Sequence, residues 1–188
     1  APRVWPSRRS MFTALLTDVV PSSTPDVQTS YATRVSPIRS TTVERDSAER
    51  GHLNWRHFRL IREMWEGKLV VKGIHDARDA RIAVDAGANG IIVSNHGGRQ
   101  LDHGAGTIDI LPEVVAAAKG KASIIVDGGF CRGTDIVKAI ALGADLVCVG
   151  RVYAFGMAAA GRDGIFRVLE RLHDELTRAM GLPGVTTL

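Results

Sequence analysis

The stretch Ile91-Ile92-Val93-Ser94-Asn95-His96-Gly97-Gly98-Arg99-Gln100-Leu101-Asp102 decides how this chain is read. Three consecutive branched apolar residues point to a strand buried on both faces, because a strand with one solvated face would alternate. The run then stops abruptly in a histidine, two glycines, an arginine and an aspartate. Glycine lets the backbone turn sharply and lets a ligand come close to it. A buried strand that places polar side chains just past its C-terminal end is feeding a pocket rim.

Working outward, the same unit recurs. Upstream, Leu69-Val70-Val71 is a strand ending in Lys72-Gly73, and Asp76 caps the next helix with Asp79 in the capping-box position. Downstream, Thr107 or Asp109 opens a helix that runs to about Lys119. Ser123 to Val126 is a third strand, ending in Asp127-Gly128-Gly129, and Thr134 caps a helix stopped at Gly143. Leu146 to Val149 is a fourth strand, ending in Gly150-Arg151. Before the first strand, Trp55, Phe58, Ile61, Arg62 and Trp65 share one helical face, closed by Glu66-Gly67. At the other end, Ile165, Leu169, Leu172, Leu176 and Met180 line a long C-terminal helix.

Strands apolar on both faces that alternate with amphipathic helices specify the α/β class, with a parallel sheet built from right-handed βαβ units. Every chemically distinctive residue falls at a strand's C-terminal end, the edge that carries active sites in eight-unit TIM barrels. Four units make half of such a barrel. The division expected is a poorly patterned linker or disordered segment over 1–52, with a short helix near Met11–Thr17, and the half-barrel over 53–188.

Composition narrows the function. The net charge of +4 comes from residues 1–60, which hold nine arginines against five carboxylates, while residues 61–188 are balanced at fifteen each. With no basic cluster interleaved with aromatics, nucleic-acid binding is not expected. No apolar run reaches the roughly 18–20 residues of a membrane span. Two cysteines, Cys131 and Cys148, suit a reducing compartment and show no metal-ligand spacing. A soluble, cytoplasmic protein without a metal is therefore expected. The chain starts at Ala1 rather than methionine, which implies processing or a start inside a longer reading frame, and the Arg/Ser mixture near it resembles a transit peptide weakly.

The strand ends suggest chemistry. A neutral imidazole at His96 can accept a proton near pH 7. Arg99 offers a planar fork that holds a carboxylate at two points. Together they describe a site for an acid that must lose a proton. Lys72 ends an apolar strand, so its ammonium requires a ligand or a salt bridge to a neighbouring strand end. The glycines of Asp127-Gly128-Gly129 and Gly150-Arg151, with the helix start after Gly133, read as a phosphate site. Cys148 reads as core, Cys131 as unactivated, and His75 and His103 as solvated.

These motifs, together with Arg132-Gly133-Thr134-Asp135, resemble the FMN-dependent 2-hydroxy acid oxidase/dehydrogenase family, which includes glycolate oxidase, lactate oxidase and flavocytochrome b2. The resemblance implies a TIM barrel of which the last four of eight units are present, matched from about Asn54 to Val185. It implies FMN as cofactor and oxidation of a small L-2-hydroxy acid to the 2-oxo acid. His96 matches the base, Arg99 the carboxylate ligand, and Lys72 the lysine beside flavin N1/O2. Ser94 matches a flavin-contacting serine and Asp127 the aspartate near the ribityl chain. Gly128, Gly129, Gly150 and Arg151 match the phosphate site, with Arg132 nearby. Cys131 departs from the family, which usually has there an arginine reaching the phosphate. The electron acceptor (oxygen, quinone or cytochrome) and the particular acid stay open. The family's first half-barrel carries two tyrosines at the substrate and the aspartate that orients the base. Two other readings follow: an inactive fragment or pseudoenzyme that needs a missing half-barrel, and another phosphate-binding barrel enzyme. Self-association is expected, because two half-barrels could cover each other's sheet edges.

Overall fold

The computed structural model describes residues 53–188. The expected linker over 1–52 and the short helix near Met11–Thr17 lie outside the described residues.

Four parallel strands, β1 (Val70–Ile74), β2 (Gly90–Val93), β3 (Ser123–Val126) and β4 (Leu146–Val147), form one sheet in the order β1-β2-β3-β4. Helix α1 (Trp55–Met64) precedes the sheet. Helices α2 (Ala77–Asp85), α3 (Thr107–Ala118) and α4 (Gly133–Ala141) connect successive strands, and α5 (Arg151–Gly181) follows β4. Sequential parallel order with crossovers of one hand puts every connecting helix on the same face. The result is an arc of a parallel (β/α) barrel, as the sequence pattern predicts.

Register shows which side chains share a face, since partners in register point the same way and successive residues point oppositely. Ile91 pairs with Ile124, and Val93 with Val126; these four are essentially sealed beneath the helices, along with Ala80, Ala83, Leu111 and Val114. Lys72, Ile92, Ile125 and Leu146 form a row on the opposite face. There Ile92 and Ile125 are only half-buried and Leu146 is exposed.

Several element ends differ from expectation. Helix α1 stops at Met64, and Trp65 is extended (φ −126°, ψ 112°). The cause is local: the Arg62 guanidinium binds the carbonyls of Trp65 and Gly67, and the Trp65 indole N–H donates to Lys68 O at 3.2 Å. Asp76 does cap α2, through Arg78 N–H at 2.6 Å. Strand β4 ends at Val147 because β3, its partner, ends at Val126; only Cys148 N–H reaches further, to Val126 O. Thr134 is not the cap of α4, which begins at Gly133 after Arg132. The C-terminal helix starts at Arg151 and breaks at Ala160-Gly161, where neither residue has helical dihedrals. Gly156 and Gly164 let its two segments cross, since a Cβ on either would overlap the other's backbone.

Candidate active site

Three strand ends converge on one ammonium. Lys72 Nζ donates to Ser94 Oγ at 2.8 Å and lies 2.8 Å from Asp127 Oδ2. These groups come from β1, the end of β2 and the end of β3. Lys72 thus has a strand-end carboxylate as partner. With the lysine side chain 44% exposed, the ion pair is worth about 1 kcal/mol or less. An ammonium has three donors, so one stays available for a further acceptor. Ser94 is fully buried, and its Oγ also accepts the His96 N–H at 3.1 Å.

That bond fixes how the chain leaves β2. His96 adopts φ 54°, uncommon for a side chain with a Cβ and a cost of about 1–2 kcal/mol. Asn95 Oδ1 accepts Gly97 N–H at 2.9 Å, closing the turn His96–Gly98. The His96 ring packs over Gly73, where a Cβ would stand 3.1 Å from His96 Cε1. Gly73 itself has φ 98° and sits at the register shift of β1. The register shift thus falls at the residue that the imidazole covers.

A second group of residues ties the β2 and β3 ends together. Thr107, buried at the start of α3, donates from Oγ1 to Asp127 O at 2.6 Å. Gly128 has φ 100°, and a Cβ there would meet Thr107 Oγ1 at 3.1 Å and Asn95 Oδ1 at 3.2 Å. His75 Nε2 donates to Ala105 O at 3.0 Å, so this half-buried histidine holds the loop after β2 rather than facing solvent. Sequence reading missed Asn95, Thr107 and His75 because each acts on a partner brought near by folding. Thr107 carried one signal, a hydroxyl at a helix start, and that signal pointed only to capping.

The glycine-lined side is open. A Cβ at Gly129 or Gly150 would find no heavy atom within 4 Å, and the Arg151 guanidinium reaches across to Gly97, 3.2 Å from its Cβ position. A cleft of about 290 Å³ lies here, lined among others by Asn95, Gly97, Thr107, Gly128, Gly129 and Arg151. Lys72, His96 and Arg99 do not line it. Arg99 is exposed at the rim, and no ion pair engages it among the described residues. Arg132 turns the other way: its Nε lies 3.0 Å from Glu175 Oε2 on α5. Cys148, near Lys72 and Asp127, has its thiol pKa pushed up by burial and then by the Asp127 charge, so it stays protonated. Among the described residues no cluster of three metal-ligating side chains forms, and no helix is long and apolar enough to cross a membrane.

A four-unit arc with its polar residues gathered at the strands' C-terminal ends has the arrangement of the edge at which (β/α) barrels carry their active sites. The chain matches the family of FMN-dependent dehydrogenases over residues 7–188 and belongs to it. The match begins well before the expected start near Asn54 and takes in most of the weakly patterned segment. Similar proteins include the L-lactate oxidase of Lysinibacillus sphaericus, 46% identical over 136 residues, which span 72% of this chain and 35% of that protein. A peroxisomal (S)-2-hydroxyacid oxidase of Arabidopsis thaliana is 41% identical over 160 residues, 84% of this chain and 44% of that one. Among solved structures, mandelate oxidase with benzoyl-formic acid superposes with a TM-score of 0.68 at 49% identity, over 71% of this chain and 40% of the other. The chain thus spans well under half the length of these relatives.

Proposed function

We propose that this chain forms the base-bearing half of an FMN-dependent oxidoreductase that converts a small L-2-hydroxy acid to its 2-oxo acid. The observation that carries the reading is the convergence of Lys72, Ser94 and Asp127 beneath the His96 turn. The residues fit the cofactor: open glycines and a guanidinium suit a phosphate monoester, and the exposed donor of Lys72 suits an electron-rich ring edge. FMN, when bound, supplies the two-electron acceptor. Lys72 and Ser94 would contact the flavin, Lys72 at the ring, and Asp127 would hold Lys72 in place beside the ribityl chain. Gly128, Gly129, Gly150 and Arg151 take the phosphate, with Arg132 anchoring the adjacent loop. Arg99 binds the substrate carboxylate, its exposure leaving the guanidinium unclaimed. His96 takes a proton from the substrate, its ring aimed by the Ser94 bond and the Gly73 bulge.

A chain that needs another half-barrel, or a second copy, is the competing reading, favoured by the sheet face carrying Ile92, Ile125 and Leu146, which stays open among the described residues. A reducing, cytoplasmic setting suits the two unpaired cysteines, although the Arabidopsis relative is named peroxisomal. The test is reconstitution of the full chain with FMN and turnover of lactate, glycolate and mandelate. Flavin absorbance retained through gel filtration is expected, and His96→Gln is expected to keep the flavin and lose about 10²–10⁴ in rate. A colourless wild-type chain that turns over nothing sinks autonomous activity and leaves the competing reading.

A further inference from the structure

The β3–α4 loop holds Arg132, and two carboxylates engage its Nε and three backbone N–H groups of the loop. Asp135 Oδ2 accepts the N–H groups of Cys131 at 3.0 Å and Arg132 at 2.9 Å. Glu175 Oε2, from the far end of α5, accepts Gly133 N–H at 3.2 Å and Arg132 Nε at 3.0 Å. Its other oxygen lies 3.5 Å from Arg171 Nε. The Glu175 side chain is largely covered while that of Arg132 is mostly exposed, so the carboxylate is the fixed member of the pair. Gly133 permits the approach, because a Cβ there would overlap the backbone of Glu175 and Leu176. Negative charge at a helix N-terminus is favourable to the helix and also repels any further anion there. Gly129 and Arg151 line the cleft, whereas Arg132 does not.

We propose that Glu175 is a positioning residue: it withholds Arg132 and the α4 N-terminus from the cleft, so that a phosphate monoester is met by Arg151 alone among the arginines. The inference rests on the flavoenzyme reading for the identity of the phosphate carrier, and on these contacts alone for the division of roles. It gives the Cys131 departure a consequence. With a thiol at that position and Arg132 latched, the anion subsite depends on one guanidinium, and its affinity responds to one substitution.

The test is titration of the full chain with inorganic phosphate, followed by nitrogen-15 NMR at the arginine Nε and glycine amide positions. Arg151 Nε and the Gly129 amide are expected to shift while Arg132 Nε stays still. Arg151→Ala is expected to weaken phosphate binding about tenfold or more, as for loss of a charged hydrogen bond. Glu175→Gln is expected to let Arg132 Nε join the response; a merely structural glutamate would not move that signal. Phosphate-dependent movement of Arg132 Nε in the wild-type chain, or no response at Arg151, overturns the proposal, and neither observation needs a variant that folds. Parallel titrations with FMN and riboflavin separate the two ideas. Phosphate at Arg151 with no added affinity for FMN refutes the flavin reading and leaves the role of Glu175 standing.

Discussion

The two faces of the sheet are built from the same residue types and meet opposite fates. Ile91, Val93 and Val126 are sealed at 0% exposure under α2 and α3, while Val70 and Leu146 on the other face stand 45% and 44% exposed. A valine buried on the helix side stabilises by about 1.5–3 kcal/mol, and one left open yields a fraction of that. Lys72 belongs to the row of side chains on the open face, and the buried Ser94 and half-buried Asp127 meet its ammonium. One face of this arc therefore behaves as a finished core, and the other stays open among the described residues.

The sharpest way to break that contrast is to truncate one apolar side chain on each side. Leu111→Ala, at a fully buried site on α3, is expected to cost about 2–5 kcal/mol in urea unfolding. Leu146→Ala on the open face is expected to cost no more than about 1 kcal/mol. Equal losses would mean that the open face is covered in solution, and a concentration-dependent midpoint would identify a second copy as the cover. At the boundary between the two faces, Gly128→Ala forces a Cβ toward Thr107 and Asn95 at φ 100°, and is expected to cost about 1–3 kcal/mol by the same measurement.

The smallest effect concerns acid. The Glu175 carboxyl is held below its ordinary value of 4.5, chiefly by the Gly133 N–H and then by Arg132 against an opposing contribution from burial. A depressed folded value means that its stabilisation is complete above the ordinary value and is lost as pH falls through the lower folded one. The loop over Cys131–Gly133 is therefore expected to lose amide protection below about pH 4.5 before the sheet does, as hydrogen exchange would report.

Much of this was legible in the linear chain. The four apolar runs named every strand among the described residues, and the polar residues just past them named one edge of the sheet, because period and composition are local properties. Element ends were less legible where a distant or newly turned group sets them, as Arg62 does at Trp65 and the end of β3 does at Val147. Thr134 has the composition of a cap, yet the cap is Arg132, two residues earlier, where Asp135 and Glu175 supply the acceptors. For Arg132 the local signal was charge beside glycine, and nothing within the loop announces a glutamate over forty residues away.

What the sequence alone determined is the class, the parallel arc and the list of side chains at its rim. Hydrophobic runs and glycine turns act on their neighbours, so their effect survives in one dimension. Only the tertiary structure decided which rim residues are partners: that Asp127 and Ser94 claim Lys72, that His96 rests on Gly73, and that Arg151 reaches Gly97 while Arg132 turns to α5. Those outcomes depend on distances between strand ends and helices far apart in the chain, and a charge finds its partner only once packing has brought the two within a few ångströms.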